Sequence, residues 1–164
     1  MPLRPSTNSF SANGVRFEPP ACPVVVICMD GSADEYLDTT LLHDRMPNLK
    51  KMSLQGYRGM ARGALPSFTN VNNSSIVTGV SPAIHGICGN FFFDTARNEE
   101  VMMNSSEYLR AETILAAAAK AGRKVAVVTA KEKLRDILSH QLKVIAFSAE
   151  KADQTTTATH GIEK

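Results

Sequence analysis

The run Val24-Val25-Val26-Ile27-Cys28-Met29, closed by Asp30 and Gly31, constrains the fold more than any other stretch of this sequence. It has no polar alternation, so it fits a strand covered on both faces, as in a parallel sheet. Val125–Val128 and Val144–Phe147 repeat the pattern more briefly. Helical signals alternate with these runs. Pro47–Gln55 opens on proline and stops at Gly56, Asn70–Thr78 ends at Gly79, and Thr113–Ala121 carries four consecutive alanines before Gly122. Lys131–Ser139 places Leu134, Ile137 and Leu138 at core spacing. Strands alternating with helices predict βαβ units, hence an α/β fold with a parallel sheet flanked by helices.

Other segments are less regular. Residues 1–22 are rich in Pro, Ser, Asn and Gly and read as a flexible leader or an edge extension. Tyr57–Leu65 is expected to form a short, glycine-interrupted strand, Val80–Gly89 a loop, and Phe91–Phe93 part of the core. Only three strands are convincing, and the sequence from Glu150 onward is polar and threonine-rich. So small a parallel sheet leaves a hydrophobic edge unpaired, which points to a portion of a larger domain.

A net charge of +2 over 164 residues, with no basic block, gives no electrostatic case for nucleic acid. The three cysteines, Cys22, Cys28 and Cys88, form no Cys-x-x-Cys pair, so neither a disulfide framework nor a thiolate metal site is expected. Cys28 reads as a small core residue. No signal peptide is visible and the apolar runs are too short to span a bilayer, so a soluble, cytoplasmic chain is expected.

Two groups stand out chemically. Asp30 ends an apolar strand, and open parallel sheets bind ligands at the carboxyl ends of their strands. Thr69 lies where a helix begins, facing unpaired N–H groups and the positive end of the helix dipole. An acid and a hydroxyl suit a metal-activated nucleophile. Read one at a time, each candidate has an ordinary explanation. Asp30-Gly31 is also a turn, Thr69 a helix cap, Asn90 a turn residue beside Gly89, and Lys131 with Lys133 a solvated helix start. His43, His85 and His140 read as structural.

Four separated stretches, taken together, carry a resemblance. Val24–Gly31, Pro66–Gly79, His85–Asp94 and Thr129–Leu134 closely resemble the phosphonoacetate hydrolases, a family of the alkaline phosphatase superfamily. The likeness runs from about Val24 to Asp153 and covers only the N-terminal part of that catalytic domain, so residues 23–164 are assigned to it. The resemblance implies that Asp30 and Thr69 bind one of two Zn2+ ions and that Thr69 is the nucleophile. It implies that Asn90 donates to a phosphoryl oxygen and that Lys131 and Lys133 hold the substrate carboxylate. His160, in Thr159-His160-Gly161, follows a threonine where the family has an aspartate, and it is not assigned.

The implied reaction is hydrolysis of the carbon–phosphorus bond of a small-molecule substrate, phosphonoacetate, to acetate and phosphate through a phosphothreonine intermediate. The lysine pair separates this reading from a related phosphodiesterase or nucleotide pyrophosphatase, whose substrates need no carboxylate. A third reading is a non-catalytic fragment. Two zinc sites need roughly six protein ligands and only Asp30 and Thr69 can be named, so the chain alone is not expected to be competent.

Overall fold

The computed structural model describes residues 9–142 and 145–156. In chain order its elements begin with strands β1 (Phe10–Ala12) and β2 (Val15–Phe17), then helices α1 (Asp34–Leu42), α2 (Pro47–Gln55), α3 (Thr69–Thr78) and α4 (Pro82–His85). Strands β3 (Phe91–Asp94) and β4 (Glu99–Met102) precede a 3-10 turn at Ser106–Tyr108 and helix α5 (Ile114–Lys120). Strand β5 (Ala126–Thr129), helix α6 (Glu132–Leu138) and strand β6 (Ile145–Ser148) follow, and then a kinked 3-10 segment, Ala149–Gln154. The chain divides into two compact units, one of Met1–Ala21 with Ala64–Lys164 and one of Cys22–Gly63.

In the first unit β5 and β6 pair in parallel, with Val127 opposite Ala146 and Thr129 opposite Ser148. Helix α6 is the crossover, as the alternation of elements predicts. The covered face carries Val127, Thr129, Ala146 and Ser148, whereas Val128 is exposed. The expected two-sided burial of Val125–Val128 is therefore corrected to burial on one face. Ile87, Met103, Leu109 and Ile137 form the core, with Phe92 and Tyr108 packed against it. Rings of Phe92 and Tyr108 meet edge to face, their centroids 5.1 Å apart. Phe91 and Phe93 point to solvent from the antiparallel β3–β4 hairpin, so the aromatic triplet contributes one core ring rather than three. Strand alternation is the reason: neighbouring side chains leave opposite faces.

Helix caps are set locally. Thr113 Oγ1 accepts the Ala116 N–H of α5 at 3.0 Å, and Gly79 closes α3 in the left-handed region at φ 68°. Val80–Gly89, expected as a loop, contains α4. Within the expected leader, Phe10–Phe17 forms an antiparallel hairpin across Asn13-Gly14, both at positive φ. Asn13 Nδ2 donates to the carbonyls of Thr78 and Glu112, each at 2.8 Å, tying the hairpin to α3 and to the entry of α5.

The second unit holds α1 and α2; α2 keeps the limits read from Pro47 and Gly56. Arg58 bridges Asp34 and Asp38 on α1, and the two carboxylates raise its already high pKa. Val24–Met29 departs most from expectation. No strand among the described residues pairs with it, and Val24, Val25, Val26, Ile27 and Met29 are all exposed. Cys28 is exposed as well, not a core residue. A run of this kind requires cover and a hydrogen-bonding neighbour, but its own sequence supplies neither. Tyr57–Leu65 likewise forms no strand. No helix among the described residues is long and apolar enough to cross a membrane.

Candidate active site

Asp30 belongs to the second unit, in a turn closed by the Ser32 N–H on the Met29 carbonyl at 3.3 Å. Gly31 takes the position of that turn which demands positive φ, at 74°. The Asp30 side chain is exposed. The turn reading of Asp30-Gly31 is thus observed, and it leaves the carboxylate on the surface as a potential donor.

The remaining candidates belong to the first unit. Thr69 opens α3 and is exposed, with extended Phe68 as the capping position. Asparagines fix the turn behind it. Asn73 Nδ2 donates to the Thr69 carbonyl at 2.9 Å, and Asn72 Oδ1 accepts the Ala64 N–H at 2.7 Å. One residue links this end of α3 to Asn90. The Met103 carbonyl accepts from buried Asn70 Nδ2 at 3.1 Å, and the Met103 N–H donates to the Asn90 carbonyl at 2.7 Å. Asn70 and Asn90 therefore flank Met103, with Asn90 exposed one residue before β3.

His85 braces the middle of α3 and is fully buried. Its Nδ1 accepts the Ile87 N–H at 3.1 Å, so the neutral ring carries its proton on Nε2. That proton goes to Ser75 Oγ at 2.9 Å, and the Ser75 hydroxyl donates to the Val71 carbonyl at 3.0 Å. Burial above all, with Arg110 contributing, pushes the His85 pKa down. The structural reading of His85 holds, because both ring nitrogens are engaged.

Lys131 and Lys133 flank the start of α6, and both are exposed. With Glu132, Glu150 and Lys151 they line one open depression of about 450 Å³. The structure thus brings the two lysines together; Thr69 and Asn90 do not line this depression. Lys131 has no side-chain cap to offer α6. Glu150, 18 residues beyond Glu132, supplies one: its Oε2 accepts the Glu132 N–H at 2.8 Å. Its Oε1 lies 3.7 Å from Lys131 Nζ. The Glu132 carboxylate turns inward, accepting from Arg135 Nε at 2.8 Å and from buried Ser148 Oγ at 2.6 Å. Arg135, then Ser148, hold the Glu132 carboxyl at about 2. Glu150 is also held below the usual carboxylate range, chiefly by the Glu132 N–H. The sequence reading missed both glutamates, since no short-range spacing connects β6 to the start of α6.

Asp30 and Thr69 offer the hard oxygen donors that zinc accepts. Among the described residues no three His, Cys, Asp or Glu side chains converge as around a metal. The donor types fit zinc; their number falls short of a full ligand set.

Known proteins match along most of the chain. Phosphonoacetate hydrolase from Sinorhizobium meliloti 1021, solved with phosphonoformate, superimposes with a TM-score of 0.90 at 46% identity. The match covers 94% of this chain and 39% of that one. The same enzyme in complex with phosphonoacetate matches at 45% identity over the same shares. Bovine (Bos taurus) ectonucleotide pyrophosphatase/phosphodiesterase family member 3 is 38% identical over 88 residues, 52% of this chain and 10% of that protein. A venom phosphodiesterase of Naja atra is 36% identical over 87 residues, 51% of this chain and 10% of that protein. The chain thus spans about a tenth of the curated relatives and about two fifths of the matched structures. The family model for type I phosphodiesterase / nucleotide pyrophosphatase matches residues 24–152. By that match this chain, whose mixed α/β structure matches part of an alkaline-phosphatase-like hydrolase, belongs to the type I phosphodiesterase / nucleotide pyrophosphatase family.

Proposed function

We propose that this chain carries the nucleophile and the carboxylate-binding pair of a zinc-dependent hydrolase that splits phosphonoacetate into acetate and phosphate. The observation that carries the reading is the pairing of Lys131 and Lys133 on one depression, in a chain 46% identical to a phosphonoacetate hydrolase over 94% of its length. Two adjacent ammonium groups match a carboxylate, which phosphonoacetate has and an ordinary phosphodiester lacks.

The roles are those that the family resemblance implies. Thr69 Oγ attacks phosphorus as the carbon–phosphorus bond breaks. The bonding pair stays on the methylene carbon and delocalises into the neighbouring carboxylate, where Lys131 and Lys133 offset the growing charge. Protonation of that carbon yields acetate. Water then cleaves the phosphothreonine, releasing phosphate and restoring Thr69. Asn90 donates to a phosphoryl oxygen. Asp30 and Thr69 are the residues here that would hold zinc, which lowers the pKa of a bound hydroxyl and offsets phosphoryl charge.

A phosphodiesterase reading is favoured by the 88-residue match to the ectonucleotide enzyme. Phosphonoacetate and a nitrophenyl phosphodiester, assayed side by side with zinc and the whole catalytic domain present, separate the two. Preference for phosphonoacetate, lost in Lys131→Ala, supports the first; preference for the diester overturns it. Thr69→Ala abolishes acetate and phosphate release, and undiminished turnover in that variant removes the nucleophile assignment.

A further inference from the structure

We propose that Glu150 is a positioning residue for Lys131, holding its ammonium at the depression and fixing the turn from which both lysines project. This deepens the reading above and rests on it, since it presumes that the lysine pair meets a carboxylate.

Three contacts cross from the end of β6 to the β5–α6 turn. Glu150 Oε2 accepts the Glu132 N–H at 2.8 Å, the Glu150 N–H donates to the Ala130 carbonyl at 3.2 Å, and Glu132 Oε2 accepts from Ser148 Oγ at 2.6 Å. Thr129 Oγ1 closes the same turn on the Lys131 carbonyl at 2.8 Å. The backbone on either side of Lys131 is thus pinned, and Glu150 contributes through both its main chain and its side chain. Its second oxygen faces Lys131 Nζ at 3.7 Å, where a carboxylate limits the arc of a flexible side chain.

The exposure of the pair argues for positioning over stability. Lys131 and Glu150 side chains are 65% and 47% exposed. Ion pairs that open to water add little to folding. A group left in solvent for stability has no reason to face a proposed ligand cation while also capping the next residue.

The test titrates the whole catalytic domain, with zinc present and Thr69→Ala in every variant to prevent turnover, with phosphonoacetate and with methylphosphonate, which lacks the carboxylate, following lysine Nζ and backbone amide signals by NMR. Glu150→Ala is expected to weaken phosphonoacetate binding about fivefold, through loss of the cap on the Glu132 N–H that fixes the turn together with loss of the exposed ion pair. Methylphosphonate binding is expected to stay unchanged, whereas general damage to the fold would weaken both. Glu150→Gln keeps an oxygen for the Glu132 N–H but gives up the charge facing Lys131, so it holds that amide signal in place and loses only about twofold in phosphonoacetate affinity. Lys131→Ala serves as the reference. Weakened binding in Lys131→Ala with parental affinity in Glu150→Ala overturns the role of Glu150 and leaves the lysine pair standing. Equal affinity of the parent chain for the two phosphonates, or no binding of either, overturns the lysine pair itself. Equal losses in Glu150→Ala and Glu150→Gln also overturn the positioning claim.

Discussion

Glu132 joins α6 to β6 through one carboxylate, and replacing it with glutamine isolates the value of that charge. Glu132→Gln keeps the shape and an acceptor for Ser148 Oγ but removes the ion pair with Arg135. In the folded chain the Glu132 carboxyl is held at about 2, against an ordinary value of 4.5. Each tenfold change in acidity is worth about 1.4 kcal/mol, so the charge contributes roughly 3.5 kcal/mol at most. Glu132 and Arg135 side chains remain 22% and 24% exposed. Water screens such a pair, and about 1–2 kcal/mol is the expected loss in Glu132→Gln near neutral pH. The sign with pH follows from the depressed value: the contribution is complete above the ordinary carboxyl range and disappears as pH falls toward 2. Urea unfolding followed by circular dichroism, on parent and variant from about pH 7 to about pH 3, measures it. The stability gap between the two proteins is expected to shrink by at least half over that interval. A gap that stays constant with pH, or is absent at neutral pH, refutes the assignment of a buried-side carboxylate anchored by Arg135 and Ser148.

Two further outcomes test the packing around α3. Burial holds the His85 pKa below its ordinary 6.5, so the folded chain binds fewer protons there than the unfolded one, and stability is lost as pH falls below that value; urea midpoints should fall more steeply between about pH 7.5 and pH 5.5 in the parent than in His85→Gln. Asn13→Ala removes both side-chain bonds to Thr78 and Glu112 and puts a side chain that favours negative φ at 48°, so a loss of about 1–3 kcal/mol in unfolding free energy is expected, while Asn13→Gly relieves only the backbone part.

Much of the fold was legible because its signals are local. Pro47 and Gly56 delimit α2, Gly79 ends α3, and Thr113 caps α5; each acts within one turn of helix, so neighbouring residues alone determine it. The parallel β5–α6–β6 unit was readable for the same reason, as two short apolar runs around an amphipathic segment. The Asn13-Gly14 hairpin carried a readable turn signal, obscured by the Pro and Ser around it. Of the candidate site, Lys131 and Lys133 could be paired from sequence because both stand at one helix start.

The amino-acid order by itself determined which segments need burial and which residues are candidates for chemistry: the apolar run before Asp30, the hydroxyl of Thr69, the cations at α6. It did not determine who meets them. Val24–Met29 reads as covered on both faces yet is exposed, because cover and strand pairing come from elsewhere in space. Tertiary structure alone set Glu150 against the Glu132 N–H and Lys131, Ser148 against Glu132, and His85 against Ser75. A hydrogen bond needs its partners within about 3 Å, and a linear sequence records neighbours along the chain, not across it.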